Sequence, residues 1–280
     1  MRFYELHRMF FPSLEFVLAC AALGAVAGVF AGMLGIGGGT LLVPVLVMLF
    51  ENIHVSPDHI LHMALGTAMA AIVASAAISL RTHHAHGAID WHVVRLMTVG
   101  VLLGTALGTW VARLVSVQTL SLFFAAFVFY VAINMLVGIK PKPSRQLPGP
   151  AGLIAAGGGI GMVSALVAVG GGAMTVPFLT WCNRDMRHAI ATSAALGLPI
   201  AVGGTAGYIW NGVLAGGLPP HSVGYVHLPA LLAIVATSLI TTPMGARAAH
   251  RLPVSTLKRT FSLLLVVLAV RMLWKLWTAA

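Results

Sequence analysis

Long runs of apolar residues alternate with short polar stretches along most of the chain. Many runs reach about 20 residues, the length of helix that crosses a hydrocarbon core of about 30 Å. They lack the alternation of lipid-facing and lumen-facing positions that marks a transmembrane β-barrel. The pattern therefore predicts an all-α polytopic membrane protein with helical segments at 14–34, 40–50, 62–81, 93–113, 118–138, 151–168, 173–182, 188–209, 228–249 and 255–277.

The first of these segments imitates a signal peptide, because Arg2 and Arg8 precede its apolar run. The run nevertheless continues into a glycine motif that recurs in the middle of the chain, where no signal peptide can lie. We therefore expect residues 14–34 to form a helix of the mature protein.

The chain contains one pattern written twice. The motif Gly37-Gly38-Gly39-x-x-x-x-Pro44 recurs 133 residues later as Gly170-Gly171-Gly172-x-x-x-x-Pro177, and Gly66-Thr67 recurs 125 residues later as Ala191-Thr192. A polar, proline-rich stretch separates the two copies and is unable to form a helix. We predict an N-terminal half over 1–139, a cytoplasmic linker over 140–150 and a C-terminal half over 151–280.

Five segments in each half mean that the two halves enter the membrane in opposite directions. Equivalent loops carry opposite charge bias, as inverted repeats require under the positive-inside rule. The loop near 51–61 has no Lys or Arg, whereas its equivalent has Arg184 and Arg187. The charges predict a protein of the cell membrane, inner or plasma, with both termini outside and the linker inside.

Composition agrees with a membrane protein and excludes other classes. Hydrophobic residues make up 59% of the chain and charged residues 8%, against about 25% charged in soluble domains. The net charge of +10 lies in loops and forms no basic face, so we expect no nucleic-acid partner. The two cysteines, Cys20 and Cys182, are predicted to be small buried hydrophobic residues.

The second segment of each half is too short to span the membrane alone and follows a glycine-rich break. A helix start carries unpaired N–H groups and positive partial charge, so it attracts anions. Two such starts from inverted halves are expected to meet near the midplane. The predicted substrate-binding residues are Gly37, Gly38, Gly39, Thr40, Thr67, Gly170, Gly171, Gly172, Ala173, Thr192 and Ser193.

Each of these assignments has a structural alternative. The triple glycines would also serve tight helix packing, which is the favoured interpretation of Gly24-x-x-x-Gly28 and Gly157-x-x-x-Gly161. The hydroxyls of Thr67, Thr192 and Ser193 would also bond to the preceding helical turn.

A cation or metal-ion transporter is the main rival function. His83, His84 and His86 near Asp90 would supply its ligands, although a solvated loop is the favoured interpretation. The predicted spans contain no carboxylate at mid-depth, which counts against cation transport. No catalytic motif is present, so we predict neither an enzyme nor a cofactor, and a non-transporting membrane assembly factor is a third alternative.

The same residues resemble the TauE/SafE sulfite exporter family of membrane permeases. The resemblance is carried by the two glycine motifs with their prolines, by Gly66-Thr67 and Ala191-Thr192-Ser193, and by Gly87-Ala88-Ile89-Asp90-Trp91. Ala68 departs from the family pattern, which usually has Ser after Gly-Thr, and His86 stands where a basic residue often precedes the loop glycine.

The resemblance implies a permease of about eight spans that moves sulfite, sulfoacetate or related organosulfur anions. Together with the repeats, it predicts a secondary transporter for a small anion that works by alternating access. The expected partners are the small anionic substrate and the lipid bilayer, with a homo-oligomer as a candidate assembly.

Overall fold

The computed structural model describes residues 13–34, 38–137, 144–249 and 254–278. The described residues form ten helices and one short hairpin. The helices are α1 (Leu14–Leu34), α2 (Gly39–Asn52), α3 (Pro57–Ala85), α4 (Trp91–Leu114), α5 (Val117–Val137), α6 (Pro150–Val167), α7 (Gly172–Trp181), α8 (Met186–Ala215), α9 (Leu228–Ala249) and α10 (Val254–Thr278). The hairpin pairs β1 (Ser222–Val223) with β2 (Val226–His227) in antiparallel register.

All ten predicted segments are confirmed as helices, and within the described residues the hairpin is the one element that was not expected. Among the described residues, seven helices are long and apolar enough to cross a membrane: α1, α3, α4, α5, α6, α8 and α9. The short helices α2 and α7 have 14 and 10 residues, about 21 and 15 Å of helix. Neither is long enough to cross a hydrocarbon core of about 30 Å by itself.

The helices pack in pairs that join the first part of the chain to the second. Helix α1 packs against α9, and α4 packs against α6. Glycines allow both approaches, because a Cβ atom at Gly24 would lie 2.5 Å from the carbonyl oxygen of Ile234. A Cβ atom at Gly161 would likewise lie 2.5 Å from the carbonyl oxygen of Val101. The predicted packing role of these glycine pairs is confirmed.

The long helices α3 and α8 run antiparallel through the centre of the protein. Gly66 lies against Tyr208, Met69 against Gly204, and Ala76 against Gly197. The middle of each helix therefore lies beside the middle of the other. The position of a residue along this helix pair therefore indicates its depth in the protein.

The connections lie on two opposite faces. On one face the amides of Ser144 and Arg145 in the linker donate to the carbonyl oxygen of Trp181 at the end of α7, both at 3.2 Å. Arg184 in the α7–α8 loop pairs with Asp90 at the start of α4 on the same face. The α2–α3 loop, the α4–α5 connection and the hairpin lie on the opposite face.

Candidate functional site

The two glycine breaks meet beside the middle of α3. A Cβ atom at Gly39 would collide with the carbonyl oxygen of Ala168, and its next neighbour would be Ile72 of α3 at 2.7 Å. A Cβ atom at Gly170 would lie 3.2 Å from the same Ile72 side chain. Gly39 and Gly170 therefore lie beside the same residue, Ile72. Residue 39 must be a glycine, because any side chain there would collide with the Ala168 carbonyl oxygen.

The conformation of the breaks also favours glycine. Gly38, which precedes α2, has φ of 66°, and Gly171, which precedes α7, has φ of 22°. Side chains rarely tolerate this left-handed region. Gly37 lies outside the described residues.

Helices α2 and α7 begin inside the protein without a side-chain cap. Gly38 and Gly171 are buried, and neither helix start receives a side-chain hydrogen bond. By contrast, α4 and α8 begin at one face and are capped by the carboxylates of Asp90 and Asp185. Backbone carbonyl oxygens of the breaks satisfy the N–H groups of Leu41, Gly172 and Met174. The N–H groups of Gly39, Thr40 and Ala173 have no described partner, which leaves them available to a ligand.

Several buried hydroxyls near the breaks have no hydrogen-bond partner among the described residues. They belong to Thr40 in the first turn of α2, Thr175 in the first turn of α7, Ser193 of α8 and Ser164 near the end of α6. The Ser193 backbone touches the second break, because a Cβ atom at Gly171 would lie 2.9 Å from its carbonyl oxygen. Unsatisfied buried hydroxyls are rare and costly in folded proteins, so their clustering here is typical of a polar site.

Prolines free two more polar groups beside the breaks. Pro44 lies inside α2 and Pro177 inside α7. Because proline has no N–H, the carbonyl groups four residues earlier, at Thr40 and Ala173, lose their helical donors. Ala173 is placed at this break, as the sequence indicated, and Gly172 begins the helix beside it.

Thr67 and Thr192 are placed differently from Ser193. The Thr67 hydroxyl oxygen accepts from the backbone N–H of His227 at 3.0 Å, and that of Thr192 accepts from the backbone N–H of Asp90 at 3.0 Å. Neither bond is the back-bond within a helix considered for them. The antiparallel register of α3 and α8 sets Thr192 level with about residue 81, about 21 Å from Thr67 along α3. The structure does not bring these two hydroxyls together.

The residues that these threonines hold are N-caps. Asp90 caps α4 by accepting from the Val93 amide at 3.2 Å, and Nδ1 of His227 faces the Ala230 amide at 3.3 Å in the first turn of α9. Burial lowers the pKa of His227 to about 4, and the nearby His221 acts in the same direction. His227 therefore remains neutral at physiological pH, as an accepting cap must.

A cavity of about 1040 Å³ lies at the face that carries the α2–α3 loop. Its lining reaches down α2 as far as Pro44, about one turn from Thr40. Its polar lining includes His59, His62, Tyr225, Arg113, Arg271, Glu51 and Asp58. Burial raises the pKa of the Tyr225 phenol, while the Arg113 guanidinium acts in the opposite direction.

The opposite face has a smaller pocket whose lining includes an ion pair. This pocket of about 190 Å³ is lined by Asp90, Arg184 and Thr192 among others. Arg184 Nη2 lies 3.0 Å from Asp90 Oδ2. A third cavity, about 20 Å³ beside Gly38, has room for about one water molecule. In this conformation the wide opening is therefore on one face.

The loop histidines do not assemble into a metal site. Among the described residues, no group of three or more His, Cys, Asp or Glu side chains is placed to hold a metal ion. His84 packs against the Trp91 ring, His86 lies 2.7 Å from the carbonyl oxygen of Thr82, and Asp90 pairs with Arg184. Cys20 and Cys182 are buried and free, which confirms their predicted role as small hydrophobic residues.

Four polar residues of the interior and the cavity wall were not expected from the sequence: Thr175, Ser164, Arg113 and Arg271. Thr175 and Ser164 are isolated hydroxyl residues in apolar runs, a pattern that only weakly indicates a binding site. The positions of Arg113 and Arg271 in a cavity wall had no local signal. Tyr208 and Asn211 form cross-helix bonds to Ala165 and Thr109 at 3.0 and 2.7 Å, so their roles are structural.

Comparison with known proteins identifies related sequences. The family model described as Sulfite exporter TauE/SafE matches residues 20–272. A probable membrane transporter protein of Haemophilus influenzae is 38% identical over 93% of this chain and 99% of its own length. Probable membrane transporter proteins of Methanocaldococcus jannaschii and Bacillus subtilis are 24% and 20% identical, over 92% and 90% of this chain and 97% and 96% of their own lengths. No solved structure matches the chain.

Proposed function

We propose a function on the basis that the chain belongs to the sulfite exporter TauE/SafE family. On that premise the protein is a secondary transporter for a small anion, either sulfite or an organosulfur anion such as a sulfonate. The anion passes by alternating access through a midplane site between Gly38–Thr40 and Gly170–Ala173.

One observation carries the proposal: two uncapped helix starts meet at mid-depth among hydroxyls that lack partners. The starts of α2 and α7 would direct N–H groups and positive partial charge to one place. Thr40, Thr175 and Ser193 would add hydroxyl donors that have no described partner. These groups suit an oxyanion, which accepts several hydrogen bonds and repays their desolvation.

The packing of the helices supports an inverted repeat. If α1–α5 correspond in order to α6–α10, a two-fold operation exchanges the α1–α9 pair with the α6–α4 pair. The same operation exchanges the Thr67–His227 bond with the Thr192–Asp90 bond, and both bonds hold the N-cap of an equivalent helix. Repeats of this kind build a central site whose two access routes open in turn.

The unequal cavities support alternating access. The wide cavity extends towards Thr40 from one face, while the pocket at the other face is small and is lined by the Arg184–Asp90 ion pair. The midplane itself is tightly packed around Gly39. We assign this arrangement to a state that is open to one side and closed at its centre.

Charge supports the orientation of the protein in the cell membrane. The face that carries the linker also carries Arg81, Arg95, Arg145, Arg184 and Arg187, and we assign it to the cytoplasm. In a variant without Cys20 and Cys182, a cysteine at exposed Val223 should react with an impermeant thiol reagent in intact cells. A cysteine at exposed Gln146 should not, and the reverse pattern would overturn the orientation.

Removal of single hydroxyls tests the midplane site without a large change of shape. Thr40→Val and Ser193→Ala should each weaken the apparent affinity for transported sulfite or sulfoacetate about ten-fold or more, because a hydrogen bond to a charged ligand is lost. Thr180→Val is the matched control, since the Thr180 hydroxyl donates to its own helix at 2.9 Å. Variants that fold and transport with unchanged affinity would refute the site.

A further inference from the structure

Two arginines differ from most other described cations in that they line the wide cavity. Arg113 lies at the end of α4 and Arg271 within α10, and both line the cavity of about 1040 Å³. They lie on the face that has few cations, so the positive-inside rule does not explain them. Arg113 lies in the last turn of the spanning helix α4, and ionisable residues of spanning helices usually mark the path of a substrate or ion.

Neither arginine forms an ion pair among the described residues. The ion pairs among the described residues involve Arg184 with Asp90 and His188 with Asp185, and neither includes Arg113 or Arg271. Both side chains remain exposed. Their charge is therefore available to a ligand that enters the cavity from the water.

Hydrogen-bonding groups accompany Arg113. The Arg113 guanidinium interacts electrostatically with the Tyr225 phenol. The phenol oxygen lies 3.3 Å from Nδ1 of His59. The His62 ring stacks on Tyr225 with ring centroids 5.1 Å apart, which fixes the phenol in the wall. Arg113 comes from the first half of the chain and Arg271 from the second.

We propose that Arg113 and Arg271 form an outer loading site that attracts oxyanions into the cavity before they reach the midplane. The inference rests on the proposed anion transport. Attraction by exposed charges mainly increases the rate at which an anion is captured and depends on ionic strength. The site therefore affects KM more than the maximal rate.

Two acidic residues of the same wall test whether the sign of the charge determines the effect on KM. Glu51 and Asp58 also line the cavity. A carboxylate repels an anion, so removal of the Asp58 charge should leave KM for an anion unchanged or lower it. A cation pathway would show the opposite response to every one of these charge changes.

The experiment measures initial rates of sulfite and sulfoacetate uptake by liposomes that contain the purified full chain. Arg113→Gln and Arg271→Gln should each raise KM about three- to ten-fold, with a maximal rate near that of the unchanged protein and a smaller effect at high ionic strength. Arg→Lys at either position should restore most of the affinity, since the charge is kept. Arg259→Gln is the control, because Arg259 is exposed on the same helix α10 but does not line the cavity.

The outcomes separate this inference from the function on which it rests. Transport by the unchanged protein with no rise of KM in either folded Gln variant overturns the loading site and leaves the transporter intact. A rise of KM in Asp58→Asn also overturns it. If a Gln variant does not fold, the KM of the unchanged protein must still rise with ionic strength, and a constant KM contradicts the proposal. Absence of any anion flux overturns both.

Discussion

The ion pair between Asp90 and Arg184 should hold closed the face that carries the linker, which we propose to be cytoplasmic. Arg184 Nη2 lies 3.0 Å from Asp90 Oδ2, while Asp90 Oδ1 caps α4 through the Val93 amide. Asp90→Asn keeps an oxygen for the cap and removes the charge, so it tests the ion pair without loss of the helix start. Arg184→Gln removes the other charge.

The expected magnitude follows from exposure of the pair. The side chains are 45% exposed for Arg184 and 26% for Asp90, and partly exposed ion pairs contribute about 1 kcal/mol or less. If the pair exists only while this side is closed, its loss shifts the equilibrium towards the open state about five-fold. The two substitutions should not add, because each removes the same interaction.

The assay follows the reactivity of a cysteine at Ala189, which is fully buried and lines the small pocket. In a variant without Cys20 and Cys182, Ala189→Cys should react with an impermeant reagent in inside-out vesicles only when the pocket opens. Asp90→Asn, Arg184→Gln and the double variant should each react about five-fold faster.

Arg187→Gln is the control, because Arg187 is exposed and forms no described ion pair. Equal reactivity in all variants would refute the closing role of the pair. A double variant that reacts about 25-fold faster would mean that the two charges act independently.

Three further predictions concern stability. Tyr208→Phe should cost about 1–3 kcal/mol of unfolding free energy, seen as a lower melting temperature, because it leaves the Ala165 carbonyl oxygen without its 3.0 Å donor. The pKa of His227 is about 4 in the folded protein, against 6.5 unfolded, so stability should fall by up to about 3 kcal/mol as pH falls from 6.5 to 4. His227→Asn should flatten that pH profile in thermal unfolding, and an unchanged profile would contradict the assignment. Gly161→Val should prevent the close packing of α6 on α4, whereas Gly159→Val should be tolerated because a Cβ atom at Gly159 meets nothing within 4 Å.

The helices could be predicted from the sequence because local hydrophobicity determines where a chain enters and leaves a membrane. The segment predicted at 14–34 coincides with α1, and that at 228–249 coincides with α9. The packing of Gly157 and Gly161 could also be predicted, since small residues spaced by four lie on one helix face.

The partners of Thr67 and Thr192 could not be predicted, because their bonds reach residues 160 and 102 positions away. Local sequence showed a hydroxyl on a helix, for which the alternatives were a ligand or the preceding turn. Both threonines instead hold the cap of another helix. Likewise, the inclusion of Arg113 and Arg271 in one cavity depends on how distant helices pack, which no local pattern encodes.

The central claim is that this chain moves a small anion through the membrane. The most direct measurement is the uptake of labelled sulfite and sulfoacetate, with a panel of other oxyanions, into liposomes that contain the purified protein. We predict saturable uptake that exceeds that of empty liposomes, that unlabelled substrate inhibits, and that Ser193→Ala weakens in affinity. A well-folded protein that moves none of these anions would contradict the account.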